Sequence, residues 1–564
     1  MKFFTSQLSF FLSNRSTTVN IKRLFRFLAG LTALIIAYSI LFHFIMVYEG
    51  QEHSWVTGFY WTLTVMSTLG FGDITFTSDL GRTFSVIVLL SGMMSLLILL
   101  PFTFIEFFYA PWLEAQSKAR APRELPEDTS DHIIITHLNP ISRSLIQKLD
   151  HYNYQYVLLE EDLQEALKYY DQGYHVVFGD RDDPETYHKL RVQQASMVVT
   201  LGNDMTNSNI SNTVRELDEH VSIVATANSA DSVDLLKLAG SNHVLQLGRM
   251  LGRSLSRRTI GQDRRVHVIG RFEDLIVAEA SAFQTPLVGK TLRESNIREK
   301  LGINIVGLWE RGEFIPALPD TLIKNESVFV IAGSLEQLRT YDEYMAIYKT
   351  SDKPVLIIGA GRVGRGTAEA FEERGMDYRI IDKNPDRIKD KDNYILGSAE
   401  NKDILEKAGI REAPCIIITT HDDDVNIYLT IYARQLRPNI QIISRATLQR
   451  NVSTLHRAGA DFVMSYATLG GNAIFNILER NDVLMIAEGL NVFSIETPAP
   501  LRGKTLSVSG IREETGCNVL AIKNSKSDEQ LTNPPPDTIM TEGSELVLIA
   551  SRESEEAFMN TYLD

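Results

Sequence analysis

Two short glycine-bearing groups hold the residue types best suited to ligand chemistry. One is Thr68-Leu69-Gly70-Phe71-Gly72-Asp73, and the other is Gly359-Ala360-Gly361-Arg362-Val363-Gly364. Glycine reaches backbone angles closed to other residues, so either group can turn several backbone polar atoms toward one point. A ring of inward carbonyls replaces the water around a bare cation. Amides at the start of a helix hold a phosphate instead. The second group has the G-x-G-x-x-G spacing: Gly359 permits a tight turn, Gly361 lets a pyrophosphate approach, and Gly364 allows close packing. Asp382, eighteen residues after Gly364, ends the next apolar run and is placed to bind ribose hydroxyls, with Lys383 beside it. A carboxylate there repels a 2′-phosphate, which favours NAD(H) or an adenine nucleotide such as ADP over NADP. Ser398, in "LGSAEN", lies where the adenine is expected, and Arg445, in "IISRAT", is a phosphate partner. Their simpler readings are a strand-end turn and a surface arginine.

The two groups sit in different settings. Residues 27–48 and 83–105 form runs of 22 and 23 residues without a charge. As helices each is about 33–35 Å long, enough to cross a hydrocarbon core of about 30 Å. Arg15, Lys22, Arg23 and Arg26 precede the first run, whereas 50–82 offers only Arg82. That asymmetry predicts a cytoplasmic amino terminus, and two spans return the chain to the same side. Between the spans, "WVTGFYWTLTVMSTLGFGD" predicts an apolar helix followed by a re-entrant turn. A phosphate loop would need a strand before it and a helix after it; neither is present. His43, inside the first span, reads as a packed or interfacial residue.

The second group lies in a duplicated region. After a polar linker (113–130), "DHIIITHLNPISRSLIQKL" at 131–149 aligns with "KPVLIIGAGRVGRGTAEAF" at 353–371, a constant offset of 222. "PLVGKTL" at 286–292 parallels "PLRGKTL" at 500–506, and "PDT" recurs at 319–321 and 536–538. Apolar runs alternating with amphipathic stretches predict a parallel sheet with covering helices in each repeat. In the first repeat His137, Asn139 and Ser142 replace the three glycines, while Glu160 matches Asp382. Side chains there fill the space a pyrophosphate needs, so a dinucleotide site is expected in the second repeat and not in the first.

Thr68 to Asp73 resembles the potassium-channel selectivity filter, departing at Leu69, where valine is usual, and at Phe71, where tyrosine is commonest. The repeats resemble the domains that regulate potassium conductance (RCK), also found in bacterial potassium-uptake regulators. Two in tandem after a two-helix pore resembles a ligand-gated bacterial potassium channel. The implied fold is an α-helical membrane pore (1–112) with a re-entrant pore helix and filter. Two α/β Rossmann-like RCK domains follow (131–350 and 351–564), each with a small carboxy-terminal lobe. The resemblance implies potassium bound by the carbonyls of Thr68, Leu69, Gly70 and Phe71 and by the Thr68 hydroxyl. Gly72 and Asp73 close the filter, and Tyr60 and Trp61 pack around it. It further implies four chains around one pore in a cell inner membrane, with both termini cytoplasmic and eight RCK domains in a ring. Gly92 stands where related channels place a hinge, its other reading being close helix packing, and Leu97 and its neighbours would face the inner cavity. Some relatives bind calcium in the ring. Asp180, Asp182, Asp183, Asp204, Asp422, Asp423 and Asp424 are the carboxylates available, although polar loop ends explain them more simply. "VATAN" at 224–228 departs from the glutamates of calcium-gated relatives.

Charge narrows the alternatives. Through Trp112 there are six Lys/Arg against five Asp/Glu, so with a total of −15 the remaining 452 residues carry −16. Such a body repels nucleic acid. Cys415 and Cys517 stand in unrelated contexts and suggest neither a disulfide framework nor metal-ligand spacing. An enzyme would need an acid or base beside a cofactor. His421 is the nearest candidate, but no separate substrate domain accompanies it, so no enzyme is expected. A potassium-uptake transporter subunit is the closer rival; such proteins usually need several filter-like loops, and this chain has one.

Overall fold

The computed structural model describes residues 15–109, 121–259, 266–272, 275–282, 285–310, 313–325, 327–345, 352–478, 483–485, 490–524 and 530–563. Part of the expected linker, 113–120, lies outside them. The chain divides into two compact units, one reaching to Arg123 and including Glu161–Phe178, the other comprising Glu124–Glu160 and Gly179–Asp564.

In the first unit, Leu24–Tyr48 and Asp79–Phe107 are helical, apolar and long enough to cross a membrane. The short helix Trp55–Met66 lies between them, started by Ser54, whose hydroxyl accepts the Thr57 N–H. Its inner face is aromatic: Trp61 packs on Phe42, Phe76 and Phe84 at ring separations of 4.9, 5.2 and 5.7 Å. Gly58 lets this helix touch the first span, since a Cβ there would lie 3.0 Å from the Ser39 carbonyl oxygen. Glu49 ties the end of the first span to the start of the second. Its carboxylate accepts the Thr77 N–H at 2.8 Å, the Ser78 N–H at 3.1 Å and both side-chain hydroxyls. The second span is α-helical to Gly92 and then π-helical over Met93–Leu99.

In the second unit, repeat two builds a six-stranded parallel sheet. Its spatial order is Tyr394–Leu396, Tyr378–Asp382, Val355–Ile358, Cys415–Ile418, Gln441–Ala446 and Phe462–Ser465. In chain order this is 3-2-1-4-5-6, which opens a crevice between the first and fourth strands, where the chain reverses direction across the sheet. Isoleucine runs such as "VLII" and "CIII" are buried because helices cover both faces. Repeat one pairs Tyr156–Glu160, Ile133–Ile135, Met197–Thr200, Ser222–Thr226 and His243–Leu245 in the same order and sense. Each repeat is followed by a mainly antiparallel five-stranded sheet.

Two helix crossings join the repeats. Leu247–Arg257 crosses Arg362–Glu373, and Tyr466–Leu478 crosses Pro140–His151. Both are backbone-close at glycine: a Cβ on Gly252 would sit 2.5 Å from the Thr367 nitrogen, and one on Gly471 would sit 2.8 Å from Ser144 Oγ. Gly252→Val must therefore force the first crossing apart. The expected cost is about 1–3 kcal/mol, read as a lower thermal midpoint of the full-length protein in detergent; an unchanged midpoint would show that the crossing is loose.

Candidate functional site

The first glycine group hangs from the carboxy-terminal end of the helix Trp55–Met66. Thr68 N–H donates to the Val65 carbonyl at 3.0 Å, and the Leu69 and Gly70 amides donate to Thr64 at 2.9 and 3.1 Å. From there φ is positive at Thr68 (62°), Gly70 (43°) and Gly72 (73°), but not at Leu69 or Phe71. Among the described residues no backbone amide bonds to the carbonyls of Thr68 through Gly72. The helix that carries them adds its negative dipole end. The arrangement offers a row of oxygens to a dehydrated cation.

Tyr60 braces this strand from the side. Its hydroxyl donates to Asp73 Oδ2 at 3.1 Å, and its ring lies parallel to Phe71, centroids 6.4 Å apart. Trp61 sits in an aromatic cluster with Phe42, Phe76 and Phe84. His43 stacks on Trp55 at 4.1 Å. Gly92 has ordinary helical angles (φ −66°, ψ −47°) with Met66 against it. Its glycine character serves close packing of the second span on the filter helix, and Leu97 lies in the π-helical stretch beyond.

The second glycine group lies in the crevice of repeat two. Gly359 has φ 98° and faces Thr419, whose hydroxyl donates to the carbonyls of Ile358 and Gly359 at 2.8 and 2.9 Å. A Cβ on Gly364 would collide with the Gly359 carbonyl oxygen, whereas one on Gly361 would meet nothing within 4 Å. Each glycine thus has a separate role: turn, packing and open approach. Gly361 starts the helix Arg362–Glu373, and no side chain caps it. Asp382 is buried; its oxygens accept the Ala360 amide at 2.7 Å and the Asn384 amide at 2.8 Å. The cavity here measures about 430 Å³ and is lined by Gly361, Arg362, Val363, Asp382, Lys383, Ser398 and Arg445 among others. Every residue that the sequence proposed for this site is therefore at or beside it.

Arg445 is the least expected feature. Its guanidinium lies 4.8 Å over the Tyr466 ring, its Nε is buried with no hydrogen-bond partner, and burial lowers its pKa. No carboxylate pairs with it among the described residues. A half-buried guanidinium whose Nε has no partner, beside an uncapped helix start, fits a phosphate group. Sequence reading missed Thr419, Tyr466 and Gly248, which also line the cavity. Tyr466 had a signal, since it directly follows the last strand of the repeat. Gly248 belongs to repeat one and had none.

Repeat one closes the same place with its own side chains. Asn139 accepts the Ile141 and Ser142 amides at 2.9 and 3.1 Å, while Ser142 Oγ accepts the Asn139 amide at 2.7 Å. The helix start that stands bare in repeat two is capped here. Glu160 is neutralised by Arg181 at 3.1 Å.

The acidic residues proposed for calcium do other work. Asp422 caps the helix Asp423–Leu436. Asp423 accepts the Thr447 and Leu448 amides and the Asn451 side chain. Asp204 accepts the Asn228 and Ser229 amides at 2.8 and 3.2 Å, and Asp183 accepts the Glu185 amide at 3.0 Å. Asp180, Asp182 and Asp424 are exposed. Among the described residues no three acidic, histidine or cysteine side chains converge as a cation site. The lone pairs of the buried carboxylates are spent on loop amides.

Comparison with known proteins follows the same division. The ion channel family matches residues 30–109, the TrkA-N domain 133–247 and 355–466, and the TrkA-C domain 282–346 and 492–562. Potassium channel protein 1 of Methanocaldococcus jannaschii is 31% identical over 246 residues, 41% of this chain and 73% of the relative. A Trk system potassium uptake protein TrkA homolog of Pyrococcus horikoshii is 30% identical over 216 residues, 36% of this chain and 92% of that protein. Among solved structures, the GsuK channel bound to NAD is 37% identical with a TM-score of 0.59, over 96% of this chain and 99% of that one.

The filled turn of repeat one predicts an acid-sensitive fold. His137, where repeat two has Gly359, is pushed down to about 4 by burial and by the Arg181 guanidinium. Its folded pKa lies below the unfolded value of about 6.5, so between those values the unfolded chain binds the proton first. Stability from this group is complete above about pH 6.5 and is lost as pH falls to about 4, by as much as roughly 3 kcal/mol. His137→Gln should flatten the fall in thermal midpoint between pH 7 and pH 4.5. Parallel curves for the two proteins would remove His137 from the account.

Proposed function

Because the chain belongs to the family of potassium channels that carry tandem RCK domains, we propose that four copies enclose one pore whose gate answers to a nucleotide bound in repeat two. The pore domain is 1–112, and the RCK domains are 131–350 and 351–564. Potassium passes along the carbonyls of Thr68, Leu69, Gly70 and Phe71 and the Thr68 hydroxyl. The ring of RCK domains hangs on the cytoplasmic side of a cell inner membrane, where both termini lie. The chain transports and senses; it does not catalyse.

The observation that carries the nucleotide assignment is the uncapped helix start at Gly361 beside the unpaired Arg445. A pyrophosphate is the group that satisfies both, and Asp382 is positioned for ribose. NAD is favoured because the GsuK structure with the same architecture is described as bound to NAD; ADP presents the same pyrophosphate and is the second candidate. Gly248 of repeat one lines the cavity as well. A bound nucleotide therefore touches both repeats, and it moves the gate by whatever difference in affinity the two arrangements have. A potassium-uptake subunit accounts for the repeats but not for the ion channel match at 30–109.

The test is potassium flux into liposomes holding the purified protein, with NAD, with ADP and with neither. NAD should change a potassium-selective flux, and Gly361→Asp should abolish the change while leaving the flux. Flux indifferent to both nucleotides would overturn the ligand assignment. Absent flux in a folded tetramer would overturn the channel. In the pore, Tyr60→Phe removes the bond to Asp73 while keeping the ring on Phe71. Sodium should then pass more readily relative to potassium, and unaltered selectivity would mean that the strand is braced elsewhere.

A further inference from the structure

A second and larger cavity, about 580 Å³, lies within the cytoplasmic unit, away from the glycine turn. Repeat one contributes Lys148, Arg257 and His267 to its wall, and repeat two contributes His456 and Asn472. It shares no lining residue with the nucleotide cavity.

Its polar groups favour negative charge. Among the described residues Glu279 is the one carboxylate in the wall, and it is already held by Arg258 through bonds of 2.7 and 2.9 Å. Nearby acids are engaged too. Glu555 binds Tyr152 and Asn491, and Glu556 lies 3.6 Å from His151. Arg257, exposed, makes one long bond of 3.5 Å, to the Val268 carbonyl. The His267 ring has no hydrogen-bond partner among the described residues. Burial pushes it down to about 3, with Arg374, Arg257 and Arg258 adding to the depression. His456 is held below its ordinary range chiefly by burial, with Asp461 and the Ala460 carbonyl opposing and Arg258 adding to the depression. His267 is thus neutral at pH 7 and offers one donor and one acceptor, whereas the one N–H of a neutral His456 goes to the Ala460 carbonyl at 3.1 Å. Met250, Ile269, Val463 and Leu469 add apolar surface for a carbon skeleton.

We propose that this cavity binds a small organic anion with two or more negative charges, at a site separate from the nucleotide and shared by both repeats. Arg257 and Lys148 take the anionic groups, His267 hydrogen-bonds to them, and the apolar wall takes the body. Because the walls come from both repeats, the anion is a second input to the same cytoplasmic unit.

The experiment is calorimetric titration of the full-length protein in detergent with two probes, citrate and fructose 1,6-bisphosphate. It is run on the wild type saturated with NAD and on Gly361→Asp. At least one probe should bind at one site per chain in both proteins, and which one binds tells whether carboxylates or phosphates are recognised. Arg257→Gln should weaken it at least tenfold, Arg257→Lys should recover part of the loss, and NAD binding should be unchanged in both variants. The proposal is overturned if neither probe binds more tightly than about 1 mM. It is equally overturned if Arg257→Gln leaves the affinity unchanged, or if NAD displaces the probe from the wild type.

Discussion

Both proposed sites rest on one constraint: backbone polar groups must find partners, and here the fold leaves some of them for a ligand to supply. A buried amide or carbonyl without a partner costs free energy comparable to a lost hydrogen bond. Among the described residues, the carbonyls from Thr68 to Gly72 accept no backbone amide, and the helix start at Gly361 has no side-chain cap. On the proposed reading, a dehydrated cation answers the first and a phosphate the second. Glycine is needed at each for a different reason. At Gly70 and Gly72 it carries positive φ, whereas at Gly361 it keeps a Cβ out of the space where the ligand must come close.

Repeat one serves as an internal control on this view. It has the same strand order and a helix in the same place, yet Asn139 and Ser142 satisfy its helix start and Arg181 satisfies Glu160. The topology therefore does not depend on a bound nucleotide; only the residues at the turn decide whether a ligand is required. Duplication followed by filling of one site also makes the unit asymmetric. On the proposed reading, a nucleotide in repeat two bears on repeat one as well, since Gly248 lines the same cavity.

What could be read from the sequence was whatever depends on residue type at short range. The two uncharged runs, the Gly70–Gly72 pair, the offset of 222 and the spacing of Gly359, Gly361 and Gly364 announce pore, duplication and turn without any knowledge of packing. Asp382 was legible because strand length fixes its distance from the turn. The contacts that escaped depend on chain crossings. Thr419 reaches Gly359 only because the first and fourth strands are neighbours, and Gly248 reaches the cavity only because a helix of repeat one crosses a helix of repeat two. The aspartates were ambiguous for a related reason: loop amides such as those of Thr447 and Asn228 claim them, and amides carry no sequence signature.

The glycine contacts at the crossing of Leu247–Arg257 with Arg362–Glu373 bear on how a ligand signal would travel. A Cβ on Gly248 would lie 2.9 Å from Arg362 Cβ, and one on Gly366 would lie 2.8 Å from Arg249 Cα. Backbones this close have no side-chain layer between them to absorb a displacement by changing rotamer. Close-packed interiors transmit small shifts and do not damp them. On the proposed reading, a pyrophosphate drawn onto the start of Arg362–Glu373 would push or pull on Gly248 directly. Movement of a fraction of an ångström there must appear as movement of the whole helix Leu247–Arg257. The far end of that helix carries Arg257, in the wall of the second cavity, so an anion held there acts on the same rigid rod from its other end.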